Sequence, residues 1–155
     1  MMRLNYRTLR HVIGLPCERR QTMNSRNPRI LIVEDENIIA LDIRSMLEDL
    51  GYMVSAIVSS GEESIQQASK NKPDLVLMDI KLKGSLDGVS AGREIYKQFH
   101  IPIVYLTAYS DQATIKRINK GKNGNPSTVI NKPFDEGELR TVIDYTLTER
   151  ERHYN

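Results

Sequence analysis

Four apolar residues, Leu75 to Met78, run without a polar break and stop at Asp79. Lys72-Pro73-Asp74 precede them as a turn. A continuous apolar run of this length, bounded by turn residues, reads as a strand buried on both faces of a parallel sheet. Open α/β sheets bind their ligands outside the carboxyl ends of such strands. Asp79 is therefore the first candidate for chemistry: a carboxylate at the end of a buried strand, placed to accept a phosphoryl group as a nucleophile.

The rest of the chain repeats the pattern. Ile30 to Val33 form a second apolar run, followed by Glu34, Asp35 and Glu36. Ile39, Ile43, Met46, Leu47 and Leu50 then recur at helical spacing on one face. Gly51 suits the position just past a helix end. Tyr52 to Val58 is less uniformly apolar, as an edge strand would be. Gly61 to Asn71 reads as a helix with Ile65 and Ala68 inward. Ile80 to Gly88 is a loop rich in Lys, Gly and Asp. Val89 to Phe99 forms the next helix, with Gly92, Ile95, Tyr96 and Phe99 on one face. Gly92 costs that helix stability and permits close packing on the sheet. Ile101 to Thr107 is an apolar strand that again stops at a polar residue. Ser110 or Asp111 is placed to cap a helix reaching about Lys120. Thr128 to Ile130 is a short strand, followed by Asn131-Lys132-Pro133-Phe134. A last helix spans about Asp135 to Glu149, with Leu139, Val142, Ile143 and Thr146 inward. Five strands alternating with five helices specify a parallel sheet covered on both faces.

A chain of 155 residues fits one domain. The single cysteine, Cys17, excludes an internal disulfide and fits a reducing compartment. No apolar run approaches the roughly 18 residues of a membrane span, so a soluble, cytoplasmic chain is expected. Residues 1–27 hold six Arg and one Glu; against a net charge of +2, the remainder is mildly acidic. An Arg-rich, acid-poor arm can be a targeting or nucleic-acid segment. The blander reading is a disordered extension, or an upstream start with Met23 as the natural beginning. The expected organisation is a basic extension over residues 1–27, a folded domain over 28–150 and a charged tail over 151–155 that extends the last helix or frays. No base-reading element is evident, and no direct contact with nucleic acid or membrane is expected of the folded part.

Parallel strands gather their carboxyl ends on one edge. That edge brings together Glu34, Asp35, Asp79, Thr107 and Lys132. Each has a bland explanation: Asp35 as the cap of the first helix, Thr107 as a turn residue, Lys132 as a solvated residue before proline. Together they form a coherent reaction centre. Clustered carboxylates repel and rise in pKa unless a cation is present. An all-oxygen set with room for water suits Mg²⁺, with Mn²⁺ as a substitute. Asp79 can then attack phosphorus in line. Lys132 supplies a point charge, and the Thr107 hydroxyl one hydrogen bond. Drawing that hydroxyl toward a new charge would pull on the loop and helix after it, a local event with a wider readout.

From about Arg29 to Arg150 the chain resembles the receiver domain of two-component response regulators. The resemblance rests on Glu34-Asp35, LVLMD with Asp79, Asp87-Gly88, YLTAYSD with Thr107, and NKPF with Lys132. It implies a flavodoxin-like, doubly wound (βα)5 sheet with strand order 2-1-3-4-5. It implies that Asp79 takes a phosphoryl group from a histidine kinase or phosphotransfer protein. It implies Mg²⁺ held by Asp35, Asp79 and the backbone carbonyl of Lys81, with Glu34 assisting through water. It implies a cis peptide between Lys132 and Pro133. It also implies a downstream protein partner, or a homodimer, on the face of the fourth helix, fifth strand and fifth helix. Lys116, Arg117 and Lys120 would make part of that face basic, or simply solvated.

The chain departs from the family pattern in places. Val129 stands where the family often has an aromatic that changes rotamer on activation. The preceding loop, Lys122 to Thr128, lacks the usual small-residue-then-aromatic sequence. The loop after Asp79 has no proline after Lys81. The residues that tune dephosphorylation in the family correspond to Lys81 and Tyr109, and neither is a carboxylate or amide able to position water. Slow loss of the phosphoryl group is therefore expected. The alternative is a hydrolytic phosphatase or phosphotransferase with an aspartyl intermediate. The haloacid-dehalogenase pattern for that chemistry needs a second Asp two residues after the nucleophile, where this chain has Lys81. A nucleotide site is weaker still, since no Gly-rich phosphate loop follows the first strand.

Overall fold

A computed structural model describes residues 26–108, 112–120 and 127–154 of the chain. The basic leader up to residue 25, Tyr109 and the two expected caps Ser110 and Asp111 lie outside the described residues. Five strands and five helices alternate: β1 Arg29–Val33, α1 Asn37–Asp49, β2 Met53–Val58, α2 Gly61–Asn71, β3 Leu75–Asp79, α3 Gly88–Phe99, β4 Ile103–Ala108, α4 Gln112–Lys120, β5 Thr128–Lys132 and α5 Glu136–Tyr154. All strand pairings are parallel, and the sheet order is β2-β1-β3-β4-β5. This is the flavodoxin-like, doubly wound arrangement that the sequence implies.

Alternation along the strands divides the core in two. Ile30, Ile32, Leu75, Leu77, Val104 and Leu106 face α1 and α5, meeting Ala40, Ile43, Leu47, Leu139, Val142 and Ile143. Leu31, Val33, Val76, Met78, Ile103 and Tyr105 face α2, α3 and α4, meeting Ala68, Val89, Ile95 and Ile118. Successive side chains of a strand point to opposite faces. Central strands coated on both faces must therefore be apolar throughout, and β3 is buried at all five positions. β2 lies at the sheet edge and is only partly buried along its length.

Local details follow from particular residues. Ser60 caps α2 by accepting from the Glu63 N–H at 3.2 Å. Asp87 caps α3 by accepting from the Ser90 N–H at 2.8 Å. Gly92 on α3 lies so close to the Tyr105 ring that a Cβ there would collide with it. The glycine that weakens the helix in isolation lets the helix approach the sheet. α5 runs on past Glu149 to Tyr154, so of the two readings of the tail residues 151–154 take the first and extend the last helix. Arg150 donates to the Asp74 carbonyl at 3.0 Å. β4 starts at Ile103, two residues later than expected, and β5 extends through Lys132.

Candidate metal and phosphoryl site

The sheet register brings the strand ends to one edge. β1 pairs with β3 through Val33 and Met78, and on its other side the Glu34 N–H donates to the Val58 carbonyl of β2 at 3.0 Å. Asp79 pairs with Leu106 of β4, so Thr107 lies one residue further along; Thr107 pairs with Asn131, and Ala108 with Lys132. Glu34, Asp79 and Thr107 are buried, whereas Asp35 is half-buried. Carboxylate oxygens of Glu34, Asp35 and Asp79 lie within 4.8 Å of one another. No other such group of three acids or metal-binding side chains occurs among the described residues.

Lys132 sits between two of these acids. Its ammonium donates to Glu34 Oε2 at 2.9 Å and lies 3.4 Å from Asp79 Oδ2. Three further oxygens accept from the backbone. Glu34 Oε1 accepts from the Glu36 N–H at 3.1 Å. Asp79 Oδ1 accepts from the Lys81 N–H, and Asp35 Oδ2 from the Lys83 N–H, each at 3.3 Å. Asp35 is not the cap of α1: that position is Glu36, which makes no side-chain capping bond. The bland reading of Asp35 is thereby removed.

The electrostatics follow from crowding in a dry place. Burial, and next the Glu34 carboxylate, push Asp79 up to about 6, while the Lys132 ammonium pulls the other way. Burial alone would lower Lys132, but its hydrogen bond to Glu34 and the charges of both acids outweigh burial and hold it above its usual value. Three carboxylates facing one ammonium leave the cluster with an excess of negative charge. The donors are all oxygen, which fits a hard divalent cation better than a soft one.

Glycine makes the geometry reachable. Gly88 donates its N–H to the Ile80 carbonyl at 3.1 Å, and a Cβ there would overlap the Asp79 carbonyl. The loop between β3 and α3 can therefore fold back against the backbone of Asp79. The Lys132-Pro133 peptide is cis. The Thr107 hydroxyl donates to the Ala108 carbonyl at 3.1 Å.

The structure thus places the sequence-predicted Glu34, Asp35, Asp79, Thr107 and Lys132 on one rim. The Lys81 side chain is exposed while its N–H turns toward Asp79. Tyr109 lies outside the described residues. Val129 is partly buried against the core of the α2–α4 face, opposite Tyr105 in the strand register. Two contacts are missing from the sequence reading. One is the direct Lys132–Glu34 ion pair. The other joins Arg117 of α4 to Asp87 at 3.2 Å, so Arg117 is not simply part of a solvated basic face. Lys116 and Lys120 are exposed.

The comparisons agree with this geometry. Residues 30–144 match the response regulator receiver domain. The phyllosphere-induced regulator PhyR of Methylorubrum extorquens is 34% identical over 119 residues, covering 76% of this chain and 43% of PhyR. The receiver domain of a modulated diguanylate cyclase from Desulfovibrio desulfuricans superposes with a TM-score of 0.74 at 31% identity, covering 81% of this chain and 98% of that domain. The receiver domain of a sensor histidine kinase from Pseudomonas aeruginosa, with magnesium coordinated in its active-site cleft, superposes at 0.68 with 33% identity, covering 79% and 98%. The chain spans about half the length of the curated relatives it matches. With the match covering most of its residues and the same fold found in solved receivers, the chain belongs to the response regulator receiver domain family.

Proposed function

We propose that this chain is a phosphorylation-driven signalling switch in which Asp79 accepts a phosphoryl group from a histidine kinase or a phosphotransfer protein. The observation that carries the reading is the position of Asp79. It ends a fully buried strand, its Oδ2 lies 3.4 Å from the Lys132 ammonium, and two further carboxylates lie within reach.

The Asp79 carboxylate attacks phosphorus in line; its O–P bond forms as the donor's P–N bond breaks, and the P–N electron pair stays on the donor imidazole, which carries a proton on its other ring nitrogen and leaves as the neutral ring. Lys132 then exchanges part of its contact with Asp79 for the new phosphoryl oxygens. The Thr107 hydroxyl turns from the Ala108 carbonyl to donate to a phosphoryl oxygen. Glu34, Asp35, Asp79 and the backbone carbonyl of Lys81 would hold Mg²⁺, or Mn²⁺ in its place, and Glu34 would act through water. When bound, such a cation offsets the charge of the carboxylates and the phosphoryl oxygens.

The chain's chemistry is confined to its own phosphorylation and dephosphorylation, because Lys81 occupies the place where a hydrolytic relative needs an acid. The output is a changed surface read by a downstream protein, or by a second copy, through α4, β5 and α5. A cytoplasmic setting fits a histidine-kinase donor; among the described residues no helix is long and apolar enough to cross a membrane.

Incubation with acetyl phosphate and Mg²⁺ tests the proposal. The expected product is one acid-stable, base-labile adduct per chain, on Asp79 and absent from Asp79→Asn. Continuous release of many phosphates per chain would support the hydrolytic alternative instead.

A further inference from the structure

α4 is lightly anchored. Of its nine residues only Thr114 and Ile118 are buried. Two polar ties to α3 supplement them. Arg117 reaches Asp87 Oδ2 at 3.2 Å, and the Arg93 guanidinium donates to the backbone carbonyl of Arg117. Asp87 is a pivotal partner. Its other oxygen caps α3, and it closes the loop whose Lys81 and Lys83 N–H groups reach Asp79 and Asp35. Arg117 therefore joins α4 to the end of the very loop that borders the reaction centre.

A conflict arises when Thr107 is used. Its hydroxyl now bonds the Ala108 carbonyl. Turning it toward Asp79 draws on the chain that leads from β4 into α4. A tie between α4 and α3 resists that movement, and the resistance must appear as a cost of binding any phosphoryl group.

We propose that the Asp87–Arg117 ion pair is a latch that holds α4 in the unphosphorylated arrangement, with Arg117 acting as a positioning residue on the Asp79 site through Asp87. The proposal rests on the phosphoacceptor reading above and extends it to a regulatory contact. Both side chains are about half exposed, at 48% and 44%, so the latch is weak and sensitive to salt.

The test measures the affinity of the full chain for beryllofluoride in the presence of Mg²⁺, for the unaltered protein, Arg117→Ala and Asp87→Asn. Asparagine caps helices as well as aspartate does, so Asp87→Asn removes the ion pair and keeps the cap. The two substitutions change net charge in opposite directions yet break the same contact. Both are expected to tighten binding about two- to fivefold at low salt, the range of an exposed ion pair. The double variant should gain no more than either single one, and the differences should vanish near 1 M salt. Equal affinities for all variants, or opposite shifts that follow net charge, would overturn the latch alone. Failure of the unaltered chain to bind beryllofluoride would overturn the phosphoacceptor reading, and the latch with it.

Discussion

Lys132 holds its ammonium closer to Glu34, at 2.9 Å, than to Asp79, at 3.4 Å. The Glu34 side chain is wholly buried, whereas Lys132 keeps about a quarter of its side chain exposed. The lysine thus serves two duties. It compensates a buried carboxylate and stands beside Asp79, the proposed phosphoacceptor. Removing it strips the buried Glu34 side chain of its cationic partner. Breaking a fully buried pair costs about 3–5 kcal/mol, and the exposure of Lys132 brings the expected loss nearer about 2 kcal/mol. Lys132→Ala should therefore melt several degrees below the unaltered chain in EDTA. Millimolar Mg²⁺ should raise its melting temperature by more than it raises that of the unaltered chain, because the cation takes over the missing charge. Equal Mg²⁺ shifts in thermal melts would show that the ammonium and the metal do not share one task.

A pH dependence follows from the same crowding. Burial and the Glu34 carboxylate raise Asp79 from 3.8 to about 6 in the folded chain. A carboxyl whose folded pKa lies above its unfolded one favours the folded state when protonated. That contribution is present below about pH 4 and is lost as pH rises through about 6. Asp79→Asn has no such charge to confine. In EDTA it should be more stable than the unaltered chain at pH 7.5, by on the order of 3 kcal/mol, and the advantage should shrink toward pH 4. Mg²⁺ affinity of the unaltered chain should fall as pH drops below about 6, since protons then compete for Asp79. Denaturant melts at the two pH values, with a Mg²⁺ titration at each, check both signs.

Much of this site is legible in the sequence because strands in a parallel sheet advertise their ends. An apolar run that stops at Glu34, Asp79 or Thr107 marks where burial gives way to chemistry, and the common direction of the strands does the rest. The limits of legibility are equally physical. Asp87 and Arg117 are 30 residues apart and meet only because two neighbouring helices set them side by side. Nothing in either local sequence announces a partner. Glu34 and Lys132 are separated by 98 residues; both are recognisable as site residues, but not as partners of each other. Arg150 reaches the Asp74 carbonyl across 76 residues, a tertiary contact that periodicity does not encode. For Asp35 the sequence leaves a helix cap and a site ligand both open, and only the backbone puts Glu36 at the cap position.

Gly92 offers a test of packing near the site. Alanine is favoured over glycine in a helix by about 1 kcal/mol. Here the added methyl would meet the Tyr105 ring, which is 1% exposed and has little room to retreat. Overpacking of this kind costs about 1–3 kcal/mol and should outweigh the propensity gain. Gly92→Ala is expected to lower stability, and Tyr105→Leu in the same chain should recover part of the loss. Tyr105 shares a face of β4 with Thr107, so the single variant should also accept phosphate from acetyl phosphate more slowly. A double-mutant cycle with additive effects would show that the two positions do not touch in solution.

The lifetime of the phosphorylated state depends on what can direct water at the acyl phosphate. The residue two beyond Asp79 is Lys81, whose side chain is exposed and whose N–H already serves Asp79. An ammonium at that place has no acceptor with which to orient a water or take its proton, and general-base assistance is worth 10²–10⁴-fold where it is well placed. Resemblance to the family assigns a tuning role to the positions of Lys81 and Tyr109. The expectation is an acyl phosphate that survives for many minutes with Mg²⁺ present. Lys81→Glu or Lys81→Gln should shorten that life by about tenfold, part of the full effect because neither is built into an ordered water site. Lys81→Met should leave it nearly unchanged, since methionine also cannot hold a water. Loss of radiolabelled phosphate from the purified phosphoprotein measures all of these. Decay of the unaltered chain within a few seconds, or acceleration by methionine equal to that by glutamate, would mean that something other than the side chain at this position governs the reaction.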